Sequence, residues 1–202
     1  MTNKIFAIGI AIVAVMAFSF TAPNSNTGKV YVADINKSSV AWLGKKVTGS
    51  HDGMIKLSSG SLSFDGKTIS DASFEIDMNS MTCKDITDET YNGKLIGHLK
   101  NDDFFSTDKF PKATFVLKSA KAKGINTFDI TGDLTIKGIS KSVTFPATVK
   151  MSGKSLTAQA KINVDRTLYD IKYGSGSFFD NLGDKAIDNI FTLDVNLVTE
   201  AK

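Results

Sequence analysis

His51, His98 and Cys83, with the acids near them, are the residue types here that could hold a metal or move a proton. No two of them stand at the close spacing that a metal-ligand pair needs, so a structural or surface role accounts better for each. No Gly-x-Ser-x-Gly elbow, phosphate-cradling loop or His-Glu-x-x-His pair occurs. Tyr169-Asp170-Ile171-Lys172-Tyr173-Gly174, beside Arg166, mixes polar and aromatic side chains. This stretch reads as the rim of a binding site or as a satisfied surface loop, and Arg166 and Tyr169 are the only suspects for acid–base work. A lone cysteine forbids an internal disulfide, which leaves Cys83 as an incidental loop thiol or as half of an intermolecular bridge in an oxidising compartment. A homodimer is the assembly that such a bridge would join. The expectation is no catalytic residue, no metal and no cofactor.

The elements that would carry these residues are strands. In Ser73-Phe74-Glu75-Ile76-Asp77-Met78-Asn79, Phe74, Ile76 and Met78 share one face while Glu75 and Asp77 share the other. Trp42 alternates in the same way after Val40, as do Phe115 and Leu117 against Thr114 and Lys118. Phe128, Ile130 and Leu134 follow on even positions, interrupted by Gly132, which either spares a pore or marks a bulge. Phe145, then Leu156 to Val164, then Phe191, Leu193 and Val195 continue the pattern. Ser59-Gly60, Asp65-Gly66, Lys123-Gly124, Lys137-Gly138 and Ser152-Gly153 read as turns between consecutive hairpins. Two segments break the rhythm: a helix is expected near Tyr91 to Lys100, with Leu95 and Leu99 at i, i+4, and a long loop or short helix over Thr167 to Lys185. Eight or nine one-sided strands must hide their dry faces, either in two stacked sheets or in one sheet closed on itself. Fourteen phenylalanines add to the apolar volume turned inward. Composition alone leaves open whether a barrel centre is filled or hollow.

The chain has 202 residues. Ile5 to Phe20 is an uncharged apolar run preceded by Lys4, short for a spanning helix and suited to a secretory signal. Residues 1–22 are therefore expected to be a leader, with an uncleaved anchor as the rival, and residues 28–200 one folded domain. Ala17-Phe18-Ser19 is the best small-x-small cleavage match. The formal charge of +3 comes from interspersed lysines and acids without basic blocks, which gives no sign of a nucleic-acid partner.

Three segments carry a resemblance. Gly97-His98-Leu99-Lys100-Asn101-Asp102-Asp103-Phe104-Phe105 runs into Lys109-Phe110-Pro111-Lys112-Ala113-Thr114-Phe115. Ile130 to Val143 forms the next hairpin, and Asp165-Arg166-Thr167-Leu168-Tyr169 with Leu182-Gly183-Asp184-Lys185 to Leu197 closes the chain. Together they resemble the YceI-like family over roughly Val30 to Val198. The resemblance implies an all-β fold: an extended, hollow, antiparallel, eight-stranded lipocalin-like barrel with one short helix. It implies a bound polyisoprenoid or comparable long-chain apolar lipid, and a periplasmic or secreted location with no stable membrane span once the leader is removed. Lys94 and Lys100 stand where family members commonly carry an arginine-rich stretch, and the loop from Thr167 to Lys185 is longer than the family form, so contacts to a lipid head group should differ here.

The ligand-binding residues expected on this reading are Trp42, Phe74, Ile76, Met78, Phe115 and Leu117, then Phe128, Ile130, Leu134, Phe145, Phe191, Leu193 and Val195 along the wall. Leu95, Leu99, Phe104 and Phe105 would close one mouth, with Tyr169 at the rim. Burial yields about 0.8 kcal/mol per methylene, so a twenty-carbon tail contributes on the order of 10 kcal/mol before ordering costs. The function expected is non-enzymatic binding, storage or transport of a polyisoprenoid, isoprenoid quinone or fatty amide. The alternatives are an isomerase or hydrolase acting on a lipid inside the pore, an integral outer-membrane barrel, and a ligand-free stress or adhesion protein. The outer-membrane case fits poorly, because the charged strand faces would crowd a narrow lumen and too few aromatics are present for girdles.

Overall fold

The computed structural model describes residues 28–202. The expected leader over residues 1–22 therefore lies outside the described residues.

Among the described residues, nine antiparallel strands follow one another with one α-helix between them. They are β1 (Lys29–Ala33), β2 (Ser39–Lys46), β3 (Gly49–Phe64), β4 (Ile69–Cys83), α1 (Glu89–Lys100), β5 (Lys112–Gly124), β6 (Thr127–Ile136), β7 (Ile139–Ser152), β8 (Ser155–Asp165) and β9 (Ile190–Ala201). The sheet closes because β3 also pairs with β4, while β2 pairs with β9. Strand β1 lies between β3 and β9 at one end, and β2 lies between the same two strands at the other. Thus β1 and β2 share one position, broken by a turn at residues 34–38, and nine strands build an eight-position barrel. Closure puts one face of every strand inside, although β4–β5 and β7–β8 pair over only part of their lengths.

The expected alternation holds along β6, where Phe128, Ile130, Gly132, Leu134 and Ile136 are all buried. The outer face is polar, with Lys112 paired to Glu75 at 3.0 Å and Lys118 to Asp133 at 2.6 Å. The two-residue hairpin between β6 and β7 uses Lys137 (φ 50°) and Gly138 (φ 72°), the left-handed pair that a type I′ turn demands.

Several sequence expectations need correction. Ser59-Gly60 is no turn: it lies inside the long strand β3, beside a bulge between Leu57 and Ser59. A Cβ on Gly60 would stand 2.2 Å from the Phe74 ring, so glycine there admits the aromatic ring of the paired strand. Gly132 acts likewise, its vacant position taken by the Phe115 ring at 2.3 Å, next to a bulge in β5 between Leu117 and Ser119. The space it leaves is thus ring-filled rather than open. Cys83 ends β4 and is buried, not a loop thiol. The phenylalanines do not all turn inward: Phe178 and Phe179 are half exposed.

The helix starts two residues earlier than expected, capped by Asp88, whose carboxylate accepts from the Tyr91 N–H at 3.0 Å. It sits between β4 and β5, at the barrel end that also carries the β2–β3 and β6–β7 turns and the β8–β9 connection. Within that connection are two short 3-10 turns, Arg166–Tyr169 and Gly183–Lys185. Strands β7 and β8 pair only from Ala147 to Ser152, and the first 3-10 turn packs against β7 beyond that point.

Candidate ligand-binding site

Two apolar chambers follow one another along the barrel interior. The upper one, about 180 Å³, lies under α1, and the inner one, about 140 Å³, lies deeper. They share Val40, Ile76, Leu134 and Leu193, so the two spaces adjoin at one waist formed by these side chains. Each is close in size to an engineered apolar cavity of about 150 Å³ that stays dry and takes up benzene. Beyond the inner chamber the edge-to-face pair Phe64 and Phe128, with centroids 6.2 Å apart, belongs to the packed core.

Strand periodicity places most of the expected residues on this space. Trp42, Met78, Leu95, Leu99, Phe104, Phe105 and Phe191 line the upper chamber. Phe74, Phe115, Leu117, Ile130, Phe145 and Val195 line the inner one. Phe128 and Tyr169 line neither. Phe128 packs on Phe64 instead, and Tyr169 is wholly buried in the 3-10 turn, neither rim nor surface. Its hydroxyl has no hydrogen-bond partner, and burial pushes its pKa up to about 12, helped by the charge of Asp133. A phenol so placed stays protonated and is no base.

Trp42 shows how the wall is made. Its ring lies over Gly53 of the paired strand, where a Cβ would come within 2.7 Å, and its indole N–H reaches across to donate to the Thr82 carbonyl at 3.0 Å. Alternation missed Met81 and Leu57, because bulges in β3 and β4 switch which residues face inward. Ala158 and Ala160 fall on the expected alternation but were not among the expected ligand-binding residues; both line the inner chamber, and their small side chains leave it open.

The polar groups collect at the upper end. Arg166 lines the upper chamber although it is only 4% exposed. Its Nε donates to the Asp188 carbonyl at 2.9 Å, Nη1 to Ile171 at 2.8 Å and Nη2 to Ile187 at 3.0 Å. The guanidinium thus clasps the β8–β9 connection. Burial lowers its pKa from the ordinary value, while the nearby carboxylates of Asp165 and Asp188 push the other way. Lys45, Lys46 and His51 also reach the chamber.

His51 Nδ1 lies 2.8 Å from Asp85, whose other oxygen accepts from the Asp52 N–H at 3.0 Å and from the Cys83 thiol at 3.2 Å. Burial acts to raise the Asp85 pKa, but these hydrogen bonds outweigh it and bring it to about 2. Burial pushes the Cys83 thiol up, so it is held neutral rather than activated. The Asp–His pair therefore has an orienting carboxylate but no nucleophile attached to it. Among the described residues no group of three or more His, Cys, Asp or Glu is placed to hold a metal ion. His98 stacks edge-on against Phe104 and Tyr173, at centroid distances of 4.9 and 4.6 Å. Glu75 stays outside, paired with Ser58 at 2.7 Å and with Lys112.

A closed antiparallel barrel with an apolar interior and a helix across one end is a lipocalin-like barrel. More narrowly, the chain belongs to the YceI-like family, whose domain model matches residues 31–199. Among curated relatives, a UPF0312 protein of Shewanella denitrificans is 38% identical over 88 residues, 44% of each chain. Protein YceI of Shigella flexneri is 38% identical over 85 residues, 42% of this chain and 44% of that one. These matches span less than half the length of those relatives. Among solved structures, Burkholderia cenocepacia BcnA superposes with a TM-score of 0.67 at 28% identity, covering 82% of this chain and 98% of that one. A polyisoprenoid binding domain from Saccharophagus degradans, implicated in plant cell wall breakdown, gives 0.64 at 18% identity, over 85% and 98%.

Proposed function

We propose that this protein binds and carries a long apolar lipid inside the barrel, without catalysing a reaction on it. A polyisoprenoid, an isoprenoid quinone or a fatty amide would suit the space. The observation that carries this reading is the adjoining pair of apolar chambers along the barrel axis, which offers a tail more than one benzene-sized pocket in sequence. The Saccharophagus neighbour, which binds a polyisoprenoid, shares the barrel and supports the same class of ligand. Against an enzyme stand a neutral thiol at Cys83, a protonated phenol at Tyr169 and a clasped Arg166. Family membership and the binding neighbour support a binding protein too.

The apolar run Ile5 to Phe20 supports export, so the lipid would be carried through the periplasm or outside the cell. Among the described residues no helix is long and apolar enough to cross a membrane. Organic extraction of protein purified from its own cells, followed by mass spectrometry, should yield a long-chain lipid in near-stoichiometric amount. An empty extract, together with a delipidated protein that takes up no long-chain lipid, would overturn the reading. Fractionation with N-terminal sequencing checks the location: a mature chain beginning near residue 22 in the periplasm or medium is expected.

A further inference from the structure

We propose that Arg166 makes the upper chamber a site for lipids bearing an oxyanion head, a carboxylate or a phosphate, in preference to neutral ones. This rests on the lipid-binding reading and names the ligand class for the same site.

The three acceptors around the guanidinium are backbone carbonyls, which satisfy hydrogen bonds but neutralise no charge. No ion pair among the described residues includes Arg166. A buried cation with no ion-pair partner in contact is costly, and an anion placed directly beside it recovers part of that cost. The nearest carboxylates offset its charge in part but make no contact with the guanidinium. Asp165 is spent capping the 3-10 turn through Thr167, at 2.9 Å to its N–H and 2.7 Å to its hydroxyl. Asp188 is exposed at the rim and gives Arg166 its carbonyl rather than an ion pair. The Phe104 ring, 6.0 Å from the guanidinium carbon, offers a weak attraction only.

Three of the five guanidinium N–H groups are used, which leaves two without a partner among the described residues on a side chain that lines the chamber. Lys45 and Lys46 add two exposed cations to the same rim, against Asp188 as the one carboxylate lining the chamber. The remaining wall is nearly all apolar, so an amphiphile has one favourable orientation. Its head meets Arg166 and the two lysines, and its tail runs past the waist toward Phe145 and Val149.

Trp42, the sole tryptophan, lines the upper chamber and reports occupancy by its fluorescence. Delipidated full-length protein would be titrated with geranylgeranyl monophosphate and with geranylgeraniol, which share one tail. The monophosphate should bind at least tenfold more tightly. Arg166→Met should abolish that preference. Because this variant also opens the clasp and can unfold the connection, Lys45→Gln/Lys46→Gln is measured beside it and should cut the preference at least threefold. Equal affinity of the wild type for both probes, or a preference unchanged in every folded variant, overturns the inference while leaving lipid binding intact. Failure of both probes to bind defeats this inference and the reading beneath it together.

Discussion

At Gly132 the shape of a single residue sets the wall. A Cβ there would meet the Phe115 ring at 2.3 Å and the Val116 carbonyl oxygen at 2.5 Å, and the latter is backbone that cannot swing away. Gly132→Ala should therefore destabilise the barrel by about 1–3 kcal/mol, as overpacking does. Gly93 lies on the exposed side of α1 with nothing within 4 Å, so Gly93→Ala should instead stabilise by about 0.5–1 kcal/mol. Urea denaturation of the two variants checks both signs at once. Asp85 gives a pH signature. Its folded pKa of about 2 lies below its ordinary value of 3.8, so its contribution to stability is full above the unfolded value and fades as pH falls toward 2. Asp85→Asn should lower the denaturation midpoint at neutral pH, and the gap from the wild type should close between about pH 4 and pH 2. A gap that persists at pH 2 would show that the carboxylate charge is not what matters. Residues on clean strands, such as Ile76 and Leu193, were legible from alternation alone. Arg166 was visible as a suspect, but its inward turn was not, because carbonyls as far as 22 positions away fix it. Tyr169 was misplaced for the same reason: a 3-10 turn has no period-two pattern from which to read burial.

Strands were legible as elements wherever one face is dry and the other wet, and least legible where a bulge switches the faces. In β4, Phe74, Ile76 and Met78 face inward on even positions, yet Met81 and Cys83 are buried on odd ones. The change falls where Lys56 pairs with Asp77 but Met54 pairs with Thr82, and Ser80 stitches the bulge by donating to the Asp77 carbonyl at 2.6 Å. The same effect turned Ser59-Gly60 into an apparent turn, since a glycine beside a serine looks alike in a loop and in a bulge. The helix obeys another rule. It has no buried residue, and Leu95, Ile96 and Leu99 are only half covered. What ties it down is polar: Asn92 donates to the carbonyls of Cys83 at 3.1 Å and Ile86 at 2.8 Å, and Lys100 donates to Asn79 at 2.8 Å. An element so lightly buried opens more cheaply than the barrel beneath it. Amide hydrogen exchange in delipidated protein should be at least tenfold faster over 89–100 than over β8 and β9, and a bound lipid should slow it. Equal protection of helix and strands would mean that α1 is a fixed wall and that a ligand enters elsewhere.

For the whole molecule, the waist between the chambers decides how long a tail the barrel can hold. Ala160 of β8 faces the inner chamber, between Ala147 of β7 and Val195 of β9. The inner chamber is about benzene-sized, so the ring of Ala160→Phe can occupy it without displacing the wall. The variant should fold with a stability change under about 1.5 kcal/mol, since the added volume enters space that was vacant. Its lipid preference should change with tail length, because a long tail must pass the waist and a short one need not. Each methylene excluded costs about 0.8 kcal/mol, so loss of two already exceeds the 1.4 kcal/mol that makes a tenfold change. A twenty-carbon isoprenoid alcohol should thus bind at least tenfold more weakly to Ala160→Phe, while its ten-carbon counterpart stays within twofold of the wild type. If both weaken alike, the substitution has disturbed the barrel as a whole. If neither changes, the tail never enters the inner chamber, and only the upper one under α1 serves as the binding space.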